Sequence, residues 1–156
     1  MGRAVKTEHI PTRVVRQDPK KFIPDVDWGV GMFFVNDKFK DVVERLEPGV
    51  HQFVPMEMLW PDGTLAQKMY FFHVCNRLDT VDRELSTVKL SKTGRVWEPK
   101  GEMIFNLDQI GDHHIWVDQH TYAPGGFFIS DVMRDALEEA GVTGIRKRHF
   151  KDTGDF

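Results

Sequence analysis

Two segments of the chain share a pattern in which a short apolar strand leads into a polar helix cap and an amphipathic helix. Residues 33–46 read FFVNDKFKDVVERL and residues 127–140 read FFISDVMRDALEEA, and they align without gaps at an offset of 94 residues. The identical pairs are Phe33/Phe127, Phe34/Phe128, Asp37/Asp131, Asp41/Asp135 and Glu44/Glu138. This weak repeat constrains the fold, because each unit must place a strand and a helix in the same order.

The residue after each apolar triplet predicts where the helix begins. Asn36 and Ser130 are good N-caps, because a side-chain oxygen there accepts a hydrogen bond from an unpaired backbone N–H. Apolar residues then recur at helical spacing, and Pro48-Gly49 or Gly141 ends each pattern. The sequence therefore predicts two capped helices at about residues 36–47 and 130–140. Short extended segments are expected after them, at residues 50–54 and 143–146.

The region between the two units is predicted to form strands. Extended segments at residues 51–59 and 65–74 flank the turn Pro61-Asp62-Gly63, which predicts a hairpin. Further strands are expected at residues 86–90, 102–107 and 114–118. Because strands and helices are largely segregated along the chain, we predict an α+β fold with a mostly antiparallel central sheet.

The two ends of the chain differ from this central pattern. Residues 1–27 are interrupted by three prolines and lack apolar periodicity, so we predict an irregular N-terminal arm with at most a short edge strand at 13–16. Residues 28–150 are predicted to form a single α+β domain, and residues 151–156 a tail. The basic run at 146–151, RKRHFK, is expected to be a solvated charged segment.

Composition argues against several classes of protein. No run of about 18 apolar residues is present, and the N-terminus lacks a signal sequence, so no membrane partner is expected. Cys75 is the only cysteine, which excludes an intrachain disulfide and favours a reducing, cytoplasmic compartment. A net charge of −3 at pH 7 is not typical of nucleic-acid-binding proteins, so no nucleic-acid partner is expected.

The densest group of reactive side chains is residues 112–120, DHHIWVDQH. Alternate residues of a strand share a face, so His114, Asp118 and His120 would line up. Such a face could bind a divalent metal or act as acid and base, which gives the alternative of a small metal-dependent hydrolase. A plain polar strand face shows the same alternation, and the common nucleotide-binding and hydrolase motifs are missing. We therefore expect no metal, no cofactor and no catalytic residue.

A tryptophan beside the predicted turn is a candidate contact with a partner. Trp60 directly precedes the turn and lies near Glu57 and Asp62, and exposed tryptophans are favoured interface anchors. Packing of Trp60 inside a curled hairpin is the alternative. Residues 24–82 carry ten Asp or Glu against five Lys or Arg, and an acidic sector can steer a basic partner. The other candidate contacts are His114, Trp116 and Tyr122.

Two blocks of the sequence form a recognisable pattern. The middle block runs from His51-x-Phe53-x-Pro55 through Trp60-Pro61-Asp62-Gly63 to Asn76-Arg77-Leu78-Asp79. The C-terminal block runs from Phe128-Ile129-Ser130-Asp131 to Gly141-Val142-Thr143-Gly144-Ile145. Together they resemble the bacterial immunity proteins of type eleven from polymorphic-toxin systems, over roughly residues 30–148.

This resemblance implies a non-enzymatic protein. It would bind and neutralise a cognate toxin, contact-delivered or secreted, in the cytoplasm of the producing cell. No catalytic residue is carried over with the resemblance. Many toxins of such systems are basic nucleases, and an acidic inhibitor suits a basic partner. The resemblance leaves the identity of the toxin, the mode of inhibition, the role of the arm and homo-oligomer formation open.

Overall fold

A computed structural model describes residues 2–17, 22–29, 31–121 and 126–156. Within these ranges the chain forms a curled five-stranded sheet, two smaller sheets, three α-helices and a short 3-10 helix at Thr153–Asp155. The predicted α+β fold is confirmed. None of the helices in the described ranges has the length and hydrophobicity that crossing a bilayer requires.

The five-stranded sheet has the order β1-β4-β5-β3-β2. Its strands are β1 (Arg13–Val15), β2 (Val26–Gly29), β3 (Met32–Val35), β4 (Gln52–Leu59) and β5 (Leu65–His73). β4 and β5 form the predicted hairpin, and β1 joins the outer edge of β4 as a parallel strand. The other pairings are antiparallel, so the predicted character of the central sheet is confirmed.

Two small sheets lie outside the central sheet. One contains β6 (Arg77–Leu78), β8 (Ile115–Asp118) and β9 (Phe128–Ile129), and the other pairs β7 (Ile104–Phe105) with β10 (Lys151–Asp152). The strand predicted at residues 86–90 is wrong, because residues 86–89 are irregular and Leu90 forms only an isolated bridge with Trp97. Ser86 is the physical reason, since its hydroxyl binds both the N–H and the C=O of Ile104 in place of a strand ladder.

The two predicted capped helices are confirmed. They are α1 (Asp37–Leu46) and α3 (Asp131–Glu139), and the short helix α2 (Leu107–Ile110) lies between them in the chain. Asn36 Oδ1 accepts a hydrogen bond from the Phe39 N–H at 3.3 Å. Ser130 Oγ accepts one from the Met133 N–H at 3.2 Å. Each cap thus satisfies one backbone donor of the first helical turn.

The repeated helices meet in one hydrophobic core. Phe39 and Val43 of α1 are buried together with their repeat equivalents, Met133 and Leu137 of α3. The strands of the two units separate, however, because β3 belongs to the central sheet and β9 pairs with β8. The extended strand expected at residues 143–146 is wrong, since these residues form no strand.

The N-terminal residues cover the second face of the central sheet. Ile10, Val14 and Ile23 pack against a buried cluster formed by Phe34, Met56, Met58, Met69 and Phe71. The Gly2 N–H also donates to the Val74 carbonyl at 2.6 Å. β2 crosses the predicted boundary at residue 27, and β10 lies within the predicted C-terminal tail. Whether the arm, the domain and the tail are separate folding units stays a prediction.

Asp25 joins β2 to α1 and to the C-terminal segment. Its buried carboxylate accepts hydrogen bonds from Asn36 Nδ2 at 2.6 Å and from the Thr143 N–H and hydroxyl, both at 2.8 Å. Lys38 Nζ lies 3.1 Å away. Burial opposes ionisation, but these hydrogen bonds outweigh it and lower the pKa of Asp25 from 3.8 to about 2. The ionised carboxylate of Asp25 therefore stabilises the folded state.

Because the folded pKa of Asp25 is depressed, its contribution to stability is present above pH 3.8 and is lost as the pH falls towards 2. This contribution is about 2 kcal/mol. We expect Asp25→Asn to lower the free energy of unfolding at pH 7 and to weaken its dependence on pH below 4. Denaturant titrations across that range measure both effects, with the exposed Asp112→Asn as control. Parallel stability curves for wild type and Asp25→Asn would contradict the assignment.

Candidate functional site

The carboxylate of the predicted His–Asp face lies in the core. Asp118 is 0% exposed and accepts hydrogen bonds from the Thr80 N–H at 2.9 Å and its hydroxyl at 3.1 Å. Trp97 Nε1 donates at 2.8 Å and the His120 N–H at 2.9 Å. These four donors occupy the oxygens that would have to bind a metal or accept a proton. Asp118 therefore connects loops of the core.

The two histidines of that face have separate partners. His114 Nδ1 forms a 2.8 Å hydrogen bond with Ser130 Oγ, the hydroxyl that caps α3. The ring of His120 contacts the Arg95 carbonyl and the Gln119 side chain. Across the described ranges, no three His, Cys, Asp or Glu side chains are grouped as metal ligands. The geometry gives the metal-dependent hydrolase no ligand set at these residues.

Glu47 has the most connected buried carboxylate near this region, and sequence reasoning did not select it. It follows the last residue of α1 and is 5% exposed. Its carboxylate accepts hydrogen bonds from the backbone N–H groups of His114 at 2.9 Å and Ile115 at 3.0 Å. His51 Nε2 lies 2.8 Å away and Asn76 Nδ2 3.2 Å away. The position beyond an amphipathic helix was its only signal in the sequence.

The charge of Glu47 is held by these donors. Burial opposes ionisation, but the hydrogen bonds from His51, His114 and Ile115 outweigh it and lower the pKa of Glu47. His113 Nδ1 lies 3.8 Å from the same carboxylate and adds a positive charge when it is protonated. The ionised form of Glu47 therefore ties the end of α1 to the start of β8.

The side chains of Cys75, His51 and Glu47 are neighbours, as a nucleophile, a base and an acid are in a catalytic triad. Their hydrogen bonds, however, are not those of a triad. His51 Nδ1 accepts a hydrogen bond from the backbone N–H of Cys75 at 3.1 Å, which leaves the Nε2 proton for Glu47. The imidazole therefore has no free nitrogen to deprotonate the thiol. Burial also raises the pKa of the Cys75 thiol, which disfavours the reactive thiolate. This group is structural.

The β4–β5 hairpin presents a rigid tip. The Trp60 N–H donates to the Thr64 carbonyl at 2.8 Å, and the Gly63 N–H donates to the Trp60 carbonyl at 2.9 Å. Asp62 is exposed and accepts hydrogen bonds from the Thr64 N–H and hydroxyl. Trp60 itself is half-buried. Glu57 is paired with Arg13 at 2.9 Å, so Asp62 is the carboxylate that the tip offers to solvent.

Residues 24–82 present less unpaired negative charge in the folded structure than their sequence indicates. Two of its ten carboxylates, Asp25 and Glu47, are buried in hydrogen-bond networks. Three more are in ion pairs, which are Asp27–Arg16, Glu57–Arg13 and Asp79–Arg83. Paired charges attract a distant partner less than free ones do. The excess of ten Asp or Glu over five Lys or Arg therefore overstates the negative potential that this region presents to a partner.

The second group of candidate contacts does not form one surface in the described ranges. Trp116 is 3% exposed, and its Nε1 donates to the Thr80 hydroxyl at 3.1 Å, so almost all of this side chain is packed in the core. His114 is half-buried and bound to Ser130. Tyr122 lies outside the described residues.

A cleft of about 1410 Å³ lies between β2, the start of α3 and the segment that precedes β10. Its lining includes seven Phe or Trp side chains, namely Trp28, Phe33, Phe105, Trp116, Phe127, Phe128 and Phe150. The predicted solvated run contributes four further lining residues, Arg146, Lys147, Arg148 and His149. These four residues are exposed, and together they form the wall of a concave surface.

The comparison with protein families covers nearly all of the chain. Residues 8–153 match the model of the Immunity protein family (Imm11). The chain belongs to this family. The match begins 22 residues before the start expected from the sequence pattern, at 8 instead of about 30, so it includes β1 and β2. No match to a curated protein was found.

Membership gives the Imm11 protein a general role. The family indicates a toxin-neutralising immunity function, which implies that the chain binds a cognate toxin and has a non-catalytic role. The carboxylates and the thiol described above fit this role, because their contacts hold the fold together.

The Glu47 contacts predict a large structural effect. We expect Glu47→Gln to lower the free energy of unfolding by about 3 kcal/mol, because an amide cannot replace a charged acceptor for all of these donors. The exposed Glu139→Gln at the end of α3 is the matched control and should change stability by less than about 0.5 kcal/mol. Denaturant unfolding at neutral pH measures both variants. Equal midpoints would show that Glu47 does not connect α1 to β8 energetically.

Proposed function

We propose that this Imm11 protein neutralises one cognate toxin by binding it, without a chemical step, in the cytoplasm of the producing cell. The observation that carries the proposal is the family match over residues 8–153. The internal hydrogen bonds of Asp118, His51 and Glu47 support it, because groups that are already satisfied have little capacity for acid–base or metal chemistry.

The tip of the β4–β5 hairpin is the first proposed contact with the toxin. Its turn is held by backbone hydrogen bonds, so binding would cost little conformational entropy. Trp60 offers a large aromatic surface, and Asp62 offers an exposed negative charge beside it. Such a pair fits an anchor residue with a charged rim. A basic toxin domain, for example a basic nuclease, suits this rim and the net charge of −3.

Stoichiometry tests the non-catalytic mechanism. The toxin domain encoded beside the gene for this chain should lose activity in proportion to added Imm11 protein and reach full inhibition at one equivalent. A binding inhibitor acts only on the molecules that it occupies, whereas an enzyme turns over. Full protection at a small fraction of one equivalent would contradict the proposal. Persistent toxin activity at excess Imm11 protein would also contradict it.

The hairpin contact predicts a specific loss of affinity. Trp60→Ala should weaken toxin binding by about 2 kcal/mol, which is roughly 30-fold in the dissociation constant. Leu85→Ala, which truncates an apolar side chain that is 39% exposed outside the hairpin, is the control and should bind as wild type does. Calorimetric titration measures the affinities, and an unchanged melting temperature shows that Trp60→Ala remains folded.

Asp62→Lys separates charge from packing at the same site. A rim charge acts mainly on encounter, so this change should slow association and flatten its dependence on salt. If Trp60→Ala and Asp62→Lys both bind the toxin with wild-type affinity and kinetics, the hairpin is not part of the interface.

A further inference from the structure

The cleft lies beside β2, an edge strand of the central sheet, whereas the hairpin contact lies at the ends of β4 and β5. β2, whose residues line the cleft, is separated from the β4–β5 hairpin by β3, and none of residues 57–64 lines the cleft. A partner that contacts the cleft therefore touches a surface separate from Trp60 and Asp62. The cleft combines an apolar floor with a basic wall, which is a different chemistry from the acidic hairpin tip.

The floor of the cleft is a series of aromatic rings in edge contact. Phe33 packs against Trp28 at 4.6 Å and against Phe127 at 4.9 Å between ring centroids. Phe128 packs against Phe150 at 5.5 Å. Trp28 is still 43% exposed, and Val132 at the start of α3 is 55% exposed. Concave apolar surface of this kind favours a partner that inserts a large apolar side chain.

The wall of the cleft carries two guanidinium groups available to a partner. Arg146 and Arg148 are exposed, and neither pairs with a carboxylate in the described part of the chain. Their neighbour Lys147 is different, because it is paired with Glu138. The guanidinium carbon of Arg148 lies 4.9 Å from the centre of the Phe150 ring, which orients it beside the aromatic floor.

We propose that this cleft receives an acidic segment of the cognate toxin that also carries a large apolar side chain. The inference rests on the proposed function, because the toxin supplies the segment. Guanidinium groups bind carboxylates with two parallel hydrogen bonds, and the apolar floor excludes water from that contact. Charge complementarity therefore selects the acidic residues of the segment, and the aromatic floor selects its apolar residue.

The same surface is poorly suited to a nucleic acid. Asp27, Asp131 and Asp152 also line the cleft, and a continuous phosphate backbone would be repelled where it passes them. An acidic protein segment can place its few carboxylates beside Arg146 and Arg148 and avoid these positions. The overall charge of −3 also opposes a polyanion.

Charge reversal at the wall tests the proposal. The double variant Arg146→Glu/Arg148→Glu should weaken binding of the neighbouring-gene toxin domain about 10-fold or more, with a smaller loss at high salt. Lys92→Glu/Arg95→Glu makes the same change in net charge at exposed residues outside the cleft, and it should bind within about 2-fold of wild type. Melting temperatures show that both variants are folded.

A second measurement identifies the occupant. Overlapping peptides that cover the toxin sequence should include one acidic peptide with a large apolar residue that binds wild type. That peptide should lose binding to Arg146→Glu/Arg148→Glu and to Trp28→Ala, but not to Lys92→Glu/Arg95→Glu. A single-stranded oligonucleotide is the competing probe and should not displace the peptide.

The outcomes separate this inference from the proposed function. If wild type does not bind the toxin, the proposed function fails. If wild type binds the toxin and the charge-reversed cleft binds equally well, only the inference about the cleft fails. Equal losses in the two double variants would show a general charge effect and would overturn the cleft as the site. Displacement of the peptide by the oligonucleotide would overturn the choice of occupant.

Discussion

The buried carboxylate of Glu47 holds the helical and strand parts of this molecule together. A negative charge in the core is stable only where hydrogen bonds replace its lost water. Here the N–H groups of His114 and Ile115 supply two of those bonds at the start of β8, and His51 supplies a third. The end of α1 and the start of β8 are therefore fixed relative to each other, and through them the central sheet is fixed relative to the small sheet.

Two other buried carboxylates, those of Asp25 and Asp118, connect separate segments of the chain in the same way. Asp25 joins β2 to the N-cap of α1, and Asp118 joins β8 to the Thr80 and Trp97 segments. Each carboxylate accepts hydrogen bonds from backbone N–H groups as well as from side chains. Each therefore fixes the position of the backbone as well as that of side chains. Satisfied groups of this kind build a rigid scaffold, which suits the binding mechanism that we propose.

On such a scaffold, the proposed contacts with the toxin are made by surface residues. The acidic hairpin tip, at the ends of β4 and β5, and the basic aromatic cleft, beside the edge strand β2, are separate surfaces of the molecule. A toxin that contacts both must present positive charge in one place and negative charge in the other. Such an arrangement fixes the orientation of the partner, because a rotated complex would bring like charges together.

The sequence by itself determined the features that depend on local interactions. Asn36 and Ser130 predicted the two helices, and the Pro61–Gly63 turn predicted the hairpin, because caps and turns are decided by a few neighbouring residues. Period-two alternation could not separate a solvated strand from one buried on both faces, so the burial of Asp118 and Trp116 was decided by what packs around β8. The covering of the sheet by the N-terminal residues, the loss of a strand at 86–90 and the contacts of Glu47 also required the tertiary structure. Their partners are distant in sequence, and only the folded chain brings them within hydrogen-bond or packing distance.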